Sequence, residues 1–319
     1  MFLITVLILA VFFAVNMGSA SFAASFAAPY GGKILTRKKA AALFLFFVIL
    51  GAIVYGEKVS VTLGKDIMSG SSIDNRALFV IFLSGGFSMY IANVMKIPQS
   101  TSLVTVAAIA GVGAYLGTLH LETILFFIPF WIIFPIASFL ITKISAGYLY
   151  PPRKHNFWIY ERFINQQDKL KVFVIVTSCY NAFSVGTNNV PNVAGPLMQH
   201  EGFSLLGLLA AFAMIYGAGA FIFTGPLKTA GSNIVPLGLM TASIISLVSG
   251  SLMLFASFLG IPQSFVMLQM GAIFAIATLK HGPEVTFDNP LTRKTFYTWT
   301  INPIITFGVS YLISKIVIN

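Results

Sequence analysis

The chain has 319 residues, of which 57% are apolar and only 9% charged, and its mean hydropathy is +0.89. A soluble domain needs far more charge to cover its surface, so these totals predict an all-α polytopic membrane protein. The formal net charge of +10 does not imply a nucleic-acid partner, because the basic residues gather in short connections (Lys33, Arg37, Lys38 and Lys39, and the group from Arg153 to Lys171) that fit cytoplasmic loops under the positive-inside rule.

The opening stretch, MFLITVLILAVFFAVNMGSASFAAS, places small residues after an apolar run as a secretory signal would. No basic residue precedes Lys33, so a permanent membrane helix over 2–30 is expected instead. Apolar segments follow at 40–56, 77–95, 98–118 and 123–148. After the polar stretch Pro151–Lys171 come segments at 171–198, 203–224, 229–260, 262–280 and 296–318. Most approach the length of about 20 residues that one crossing needs, and none alternates as a barrel strand does. The division expected is an N-terminal repeat over 1–150, a cytoplasmic linker over 151–170 and a C-terminal repeat over 171–319. A single cysteine, Cys179, excludes an internal disulfide, and the scattered histidines (His120, His155, His200, His281) give no metal site.

Two signals recur between the halves. The tetrapeptide IPQS stands at Ile97–Ser100 and at Ile261–Ser264, 164 residues apart. Small and amide residues interrupt apolar runs at NMGSASFAAS (from Asn16) and VGTNNVPNVAGP (from Val185), with Gly18 and Gly186 168 apart. Two unrelated signals in the same order point to an internal repeat, the sequence sign of a secondary transporter. Irregular backbone in a membrane is tolerated only where it lines a cavity or is buried in protein. The short, proline-launched segments 98–118 and 262–280 are expected to be re-entrant or broken helices. Proline suits a first helical turn, and Gln99, Ser100, Thr101 and Ser102, like Gln263 and Ser264, set polar side chains beside that turn's free amides. Two such N-termini facing one another would suit an anion.

These marks resemble the inorganic phosphate transporter (PiT) family, whose signature Gly-Ala-Asn-Asp-Val-Ala-Asn occurs in both halves, followed later by Pro-Val-Ser-Thr-Thr-His. Here the second signature reads Gly186-Thr187-Asn188-Asn189-Val190-Pro191-Asn192, then Gly195-Pro196-Leu197. The first reads Gly18-Ser19-Ala20-Ser21-Phe22-Ala23-Ala24, then Gly31, Lys33 and Thr36. The later motif is Pro98-Gln99-Ser100-Thr101-Ser102 and Pro262-Gln263-Ser264-Phe265. The resemblance implies two inverted repeats, sodium or proton symport (a coupling ion, with no cofactor) and a homodimer in a prokaryotic cytoplasmic membrane. Ser21 and Asn189 stand where the family has aspartate, so the phosphate carriers' acidic role does not transfer. FFAVNMGSASFAAS looks instead like the branch that contains bacterial sulfate permeases.

The acidic residues agree. All nine (Glu57, Asp66, Asp74, Glu122, Glu161, Asp168, Glu201, Glu284, Asp288) lie in connections or at segment ends, whereas carboxylates inside the membrane usually mark cation or proton pathways. Sulfate is fully deprotonated and only accepts hydrogen bonds, so a site of donors fits it better than one holding a carboxylate. The expected site comprises Ser19, Ser21 and Ser25; Thr187, Asn188, Asn189 and Asn192; and Ser100, Thr101, Ser102, Gln263 and Ser264. For the serines, close helix packing is the competing role; Lys228, after Gly225-Pro226, is an anion-steering or interfacial lysine. The function expected is a sulfate permease working by alternating access, in contact with membrane lipid and a tetrahedral oxyanion. A sodium-coupled phosphate symporter is the first alternative and an anion channel the second. No phosphate loop is present and no acid–base set supports an enzyme.

Overall fold

A computed structural model describes residues 2–95, 97–149, 154, 156–158, 161, 166–222 and 238–318. Lys228 and half of the 151–170 linker lie outside the described residues. The helices are α1 (Phe2–Gly31), α2 (Arg37–Tyr55), α3 (Glu57–Val61), α4 (Asn75–Val94), α5 (Thr101–Leu116) and α6 (Leu121–Leu149) in the first half. The second half holds α7 (Gln167–Asn189), α8 (Pro191–Leu197), α9 (Leu205–Ile222), α10 (Leu239–Phe258), α11 (Phe265–His281), α12 (Pro283–Asp288) and α13 (Pro290–Val317). Among the described residues eight helical stretches are long and apolar enough to cross a membrane, α7 and α8 counting as one. Large apolar side chains such as Ile133, Leu140, Ile304 and Leu312 stand exposed, as lipid-facing residues do.

The two IPQS copies break the helical path. Residues 97–100 and 261–264 are non-helical, and the chain then enters α5 and α11, of 16 and 17 residues. At 1.5 Å per residue these are too short to cross alone. Ser100 and Ser264 accept hydrogen bonds from the Leu103 and Met267 amides, both at 3.2 Å, so each hydroxyl caps its helix. α4 packs on α5 and α10 on α11, which makes each IPQS the tip of a helical hairpin. The first signature, by contrast, does not interrupt its helix: α1 runs unbroken through Gly18–Ala24. Its small residues hold helical geometry, and its only proline, Pro29, falls in the last turn. At the second signature Pro191 ends the hydrogen-bond ladder of α7 and starts α8.

The two halves pack on each other through matching positions. Trp131 of α6 donates to the Pro262 carbonyl at 2.9 Å, and Trp299 of α13, 168 residues later, donates to the Pro98 carbonyl at 3.1 Å. Each tip is therefore held by the opposite half. Four glycines obey the same offset: Gly18 lies against the Tyr216 backbone and Gly186 against Val48, Gly51 against Phe183 and Gly219 against Val15. At each, a Cβ would overlap a backbone carbonyl. Such close approach is how membrane helices gain packing energy without a hydrophobic effect between them. Gly51→Val and Gly219→Val are therefore expected to destabilise the fold by about 3 kcal/mol or more, seen as a lower Tm in detergent. Gly31→Ala, whose Cβ would meet open space, should shift stability by less than about 0.5 kcal/mol.

Candidate functional site

The contacts between halves bring the two signatures together. Asn189 donates to the Ser21 hydroxyl at 3.4 Å and to the Tyr216 hydroxyl at 3.2 Å, and Ser21 and Tyr216 share a 2.6 Å hydrogen bond. Ser21 and Asn189 are the two positions at which the PiT signature carries aspartate, and they are 168 residues apart. Tyr216 is held in place by stacking on Phe44, ring centroids 6.3 Å apart, while Phe22 packs edge-on against Phe44 at 5.5 Å. Sequence reasoning missed this tyrosine. The available signal was its position: it is the lone polar side chain in the small-residue run YGAGA at 216–220.

A second chain of bonds joins the signature to the hairpin tips. Asn192 donates to Ser102 at 3.5 Å, and Ser102 donates to the Gln263 carbonyl at 2.8 Å, so the start of α5 touches the opposite tip directly. Asn188 spends its whole amide on that tip. Its nitrogen donates to Ser257 at 2.9 Å and to the Ile261 carbonyl at 3.0 Å, and its oxygen accepts from the Gln263 amide at 2.9 Å. Thr187 bonds to the Ser184 carbonyl and to Ser257, both at 2.7 Å. Ser19 turns back to the Asn16 carbonyl at 3.1 Å, in the seam against α9. Thr101 is buried at the start of α5. The twelve expected residues are thus all buried, and Ser21, Asn189, Asn192, Ser102 and Gln263 form the bonded centre. Ser100, Ser264, Asn188 and Thr187 instead secure the backbone around it.

The charge distribution is simple. Among the described residues no buried side chain is ionisable as an acid or a base of the Asp, Glu, Lys or Arg type, and all nine acidic residues are exposed. Several buried polar atoms at the centre have no partner: the Ser25 hydroxyl, the side-chain oxygens of Asn189, Asn192 and Gln99, and both polar atoms of the Gln263 amide. The centre therefore offers free amide oxygens as well as donors, and is not the purely donating surface that the sequence suggests. Amide oxygen and nitrogen exchange places by a half-turn, so the same groups can present either. A buried amide left unpaired costs about 1–3 kcal/mol, which marks these atoms as places where a bound species would be stabilised.

Comparison with known proteins adds the family. The model of the phosphate transporter family matches residues 17–151 and 153–314. The chain belongs to this family. Its relatives include the sulfate permease CysP of Bacillus subtilis, 29% identical over 96% of this chain and 86% of that protein. Another is the human sodium-dependent phosphate transporter 2, 26% identical over 40% of this chain and 21% of that protein. A solved sodium-dependent phosphate transporter has the same fold, with a TM-score of 0.81 at 20% identity, over 99% of this chain and 98% of that one. This phosphate transporter family member is accordingly a multi-pass membrane protein whose relatives are named as transporters and permeases. Asn188→Ala should release the second tip, lowering stability by about 1–3 kcal/mol. A Tm unchanged from wild type would show that Asn188 does not hold it.

Proposed function

We propose that the protein is a secondary carrier that moves sulfate across the cytoplasmic membrane by alternating access. The observation that carries this reading is the neutrality of the place where the signatures meet: Ser21, Tyr216, Asn189, Asn192 and Ser102 are buried, hydrogen-bonding and uncharged. A carboxylate at Ser21 or Asn189 would repel a dianion across a few ångströms of low dielectric. Hydroxyl and amide N–H groups instead donate to an anion that has only acceptors to offer. The relationship to the B. subtilis sulfate permease supports the same substrate. Phosphate is the second reading, favoured by the unpaired oxygens of Asn189, Asn192 and Gln263, which can accept the proton of hydrogen phosphate. Those oxygens are also the neutral ligands we propose for a coupling sodium ion; proton coupling would need another route.

The site is closed, since its members are buried and bond one another. Substrate reaches it when a hairpin tip withdraws and Ser102 and Asn192 exchange their mutual bond for bonds to the anion. Because one set of hydrogen bonds replaces another, the exchange is nearly balanced, and small differences in substrate affinity between states can shift the population. We read each half as three full crossings plus one hairpin. An odd number of crossings inverts the second half relative to the first, so the two tips approach from opposite faces. Rocking one half against the other would then open the site to each side in turn.

Uptake of labelled sulfate into proteoliposomes, with and without imposed sodium and proton gradients, tests the reading. Sulfate should accumulate, and excess unlabelled sulfate should compete better than phosphate. Asn189→Asp is expected to lower sulfate uptake about tenfold or more, the factor that one repulsive buried contact of about 1.4 kcal/mol or more imposes. Undiminished sulfate uptake by that variant would refute the proposed pocket.

A further inference from the structure

A groove of about 560 Å³ runs along the outside of the molecule beside the first hairpin tip, between the end of α4, Ile97 and the first half of α13. Its floor is apolar: Ile91, Met95, Ile97, Ile301 and Ile305. Arg293 and Lys294 rim one end, with Tyr297 beside them. Ile91, Met95, Tyr297, Ile301 and Ile305 are all exposed, so the groove opens sideways, where the membrane lies.

The other half shows what this place looks like when the protein fills it. α13 matches α6 with an offset of 168, and α4 matches α10 with an offset of 164. Lys294, Thr298, Asn302 and Ile91 thus correspond to Phe126, Phe130, Phe134 and Phe255. Those four phenylalanines form one run of tilted and edge-on ring contacts, with centroids 5.1, 5.6 and 6.0 Å apart; Phe134 is buried, while Phe126 and Phe255 at the ends stand exposed. Two similar backbone frames therefore have opposite fillings. One is plugged by aromatic rings, while the other is left open with smaller side chains and two cations at its mouth.

We propose that this groove binds an anionic phospholipid, its acyl chain along the isoleucine floor and its phosphate at Arg293 and Lys294. Charge complementarity selects the occupant. Arg293 pairs with Asp288 at 2.6 Å, while Lys294 forms no ion pair among the described residues and keeps its charge for a ligand. Both cations stand in the first turns of α13, whose free amides also favour negative charge. An inorganic anion would leave the apolar floor bare, and a neutral lipid would leave Lys294 unanswered. Basic residues beside membrane-spanning helices recognise acidic head groups in this way. The acyl chain would lie against Ile97, next to Pro98, whose carbonyl Trp299 holds. A lipid in the groove therefore steadies the tip that borders the candidate site.

Native mass spectrometry of the full chain in detergent tests the assignment, after incubation with vesicles of phosphatidylglycerol or of phosphatidylcholine. The wild type should retain phosphatidylglycerol at least about fivefold over phosphatidylcholine. Lys294→Gln should bring retention down to the phosphatidylcholine level, and Thr298→Phe, which restores one ring of the plug, should abolish it. Both variants should keep the wild-type Tm in phosphatidylcholine. Equal retention of the two lipids, displacement by millimolar inorganic phosphate, or wild-type retention by Lys294→Gln would each overturn the proposal. So would a Thr298→Phe variant that changes the monomer–dimer distribution, which would give the groove to a second copy of the chain. Should Thr298→Phe fail to fold, Lys294→Gln decides alone.

Discussion

Hydrocarbon offers no hydrogen bonds, so every polar group inside this molecule has to be answered by another part of the protein or by what it carries. The centre obeys that constraint with neutral groups only. Ser21, Tyr216 and Asn189 answer one another, and Asn188 answers two backbone groups of the tip and the Ser257 hydroxyl of α10 at once. The carbonyls that the two IPQS breaks would leave open are taken by Trp131 and Trp299, and the amides of the new helices by Ser100 and Ser264. Among the atoms left unpaired are the side-chain oxygens of Gln99, Asn189 and Asn192 and both polar atoms of the Gln263 amide.

Several contacts recur between the halves at one offset, but the chemistry laid over them does not. Backbone approach at Gly18, Gly51, Gly186 and Gly219 repeats between the halves. By the same offset, Asn188 faces Ala20 in the repeat, Asn192 faces Ala24 and Tyr216 faces Val48. The second half thus supplies the three asparagines and the tyrosine, while the first supplies the Ser21 and Ser102 hydroxyls and the Gln99 amide. The lateral grooves diverge in the opposite sense, the first half's α6 contributing phenylalanines where α13 carries Lys294, Thr298 and Asn302.

Much of this was legible in the chain. The ten apolar segments correspond to the long helices and to the two hairpin returns, and the proline-led IPQS copies do mark where the helices break. The offset of 168 read from the sequence recurs in the contacts of Trp131 and Trp299 and of the four glycines. The expectation that the first signature interrupts its helix was not met, since small residues are as compatible with a helix as with a break until hydrogen bonds are seen. Short helices α3, α8 and α12 were also not anticipated, because pieces of five to seven residues carry no periodicity to read. Tyr216 and Ser257 escaped notice for another reason: each lies in an ordinary apolar helix and gains its role only from a residue in another element.

By itself the sequence determined that the chain lives in a membrane, that two of its motifs recur in the same order, where its backbone must turn, and that its interior holds no acid. These follow from composition and local chemistry, which act through neighbours along the chain. The tertiary structure decided which of the many buried serines and amides meet. Ser21 and Asn189, 168 residues apart, become partners only because glycines let helices of opposite halves touch, and hydrogen bonds act over about 3 Å of space whatever the separation in sequence.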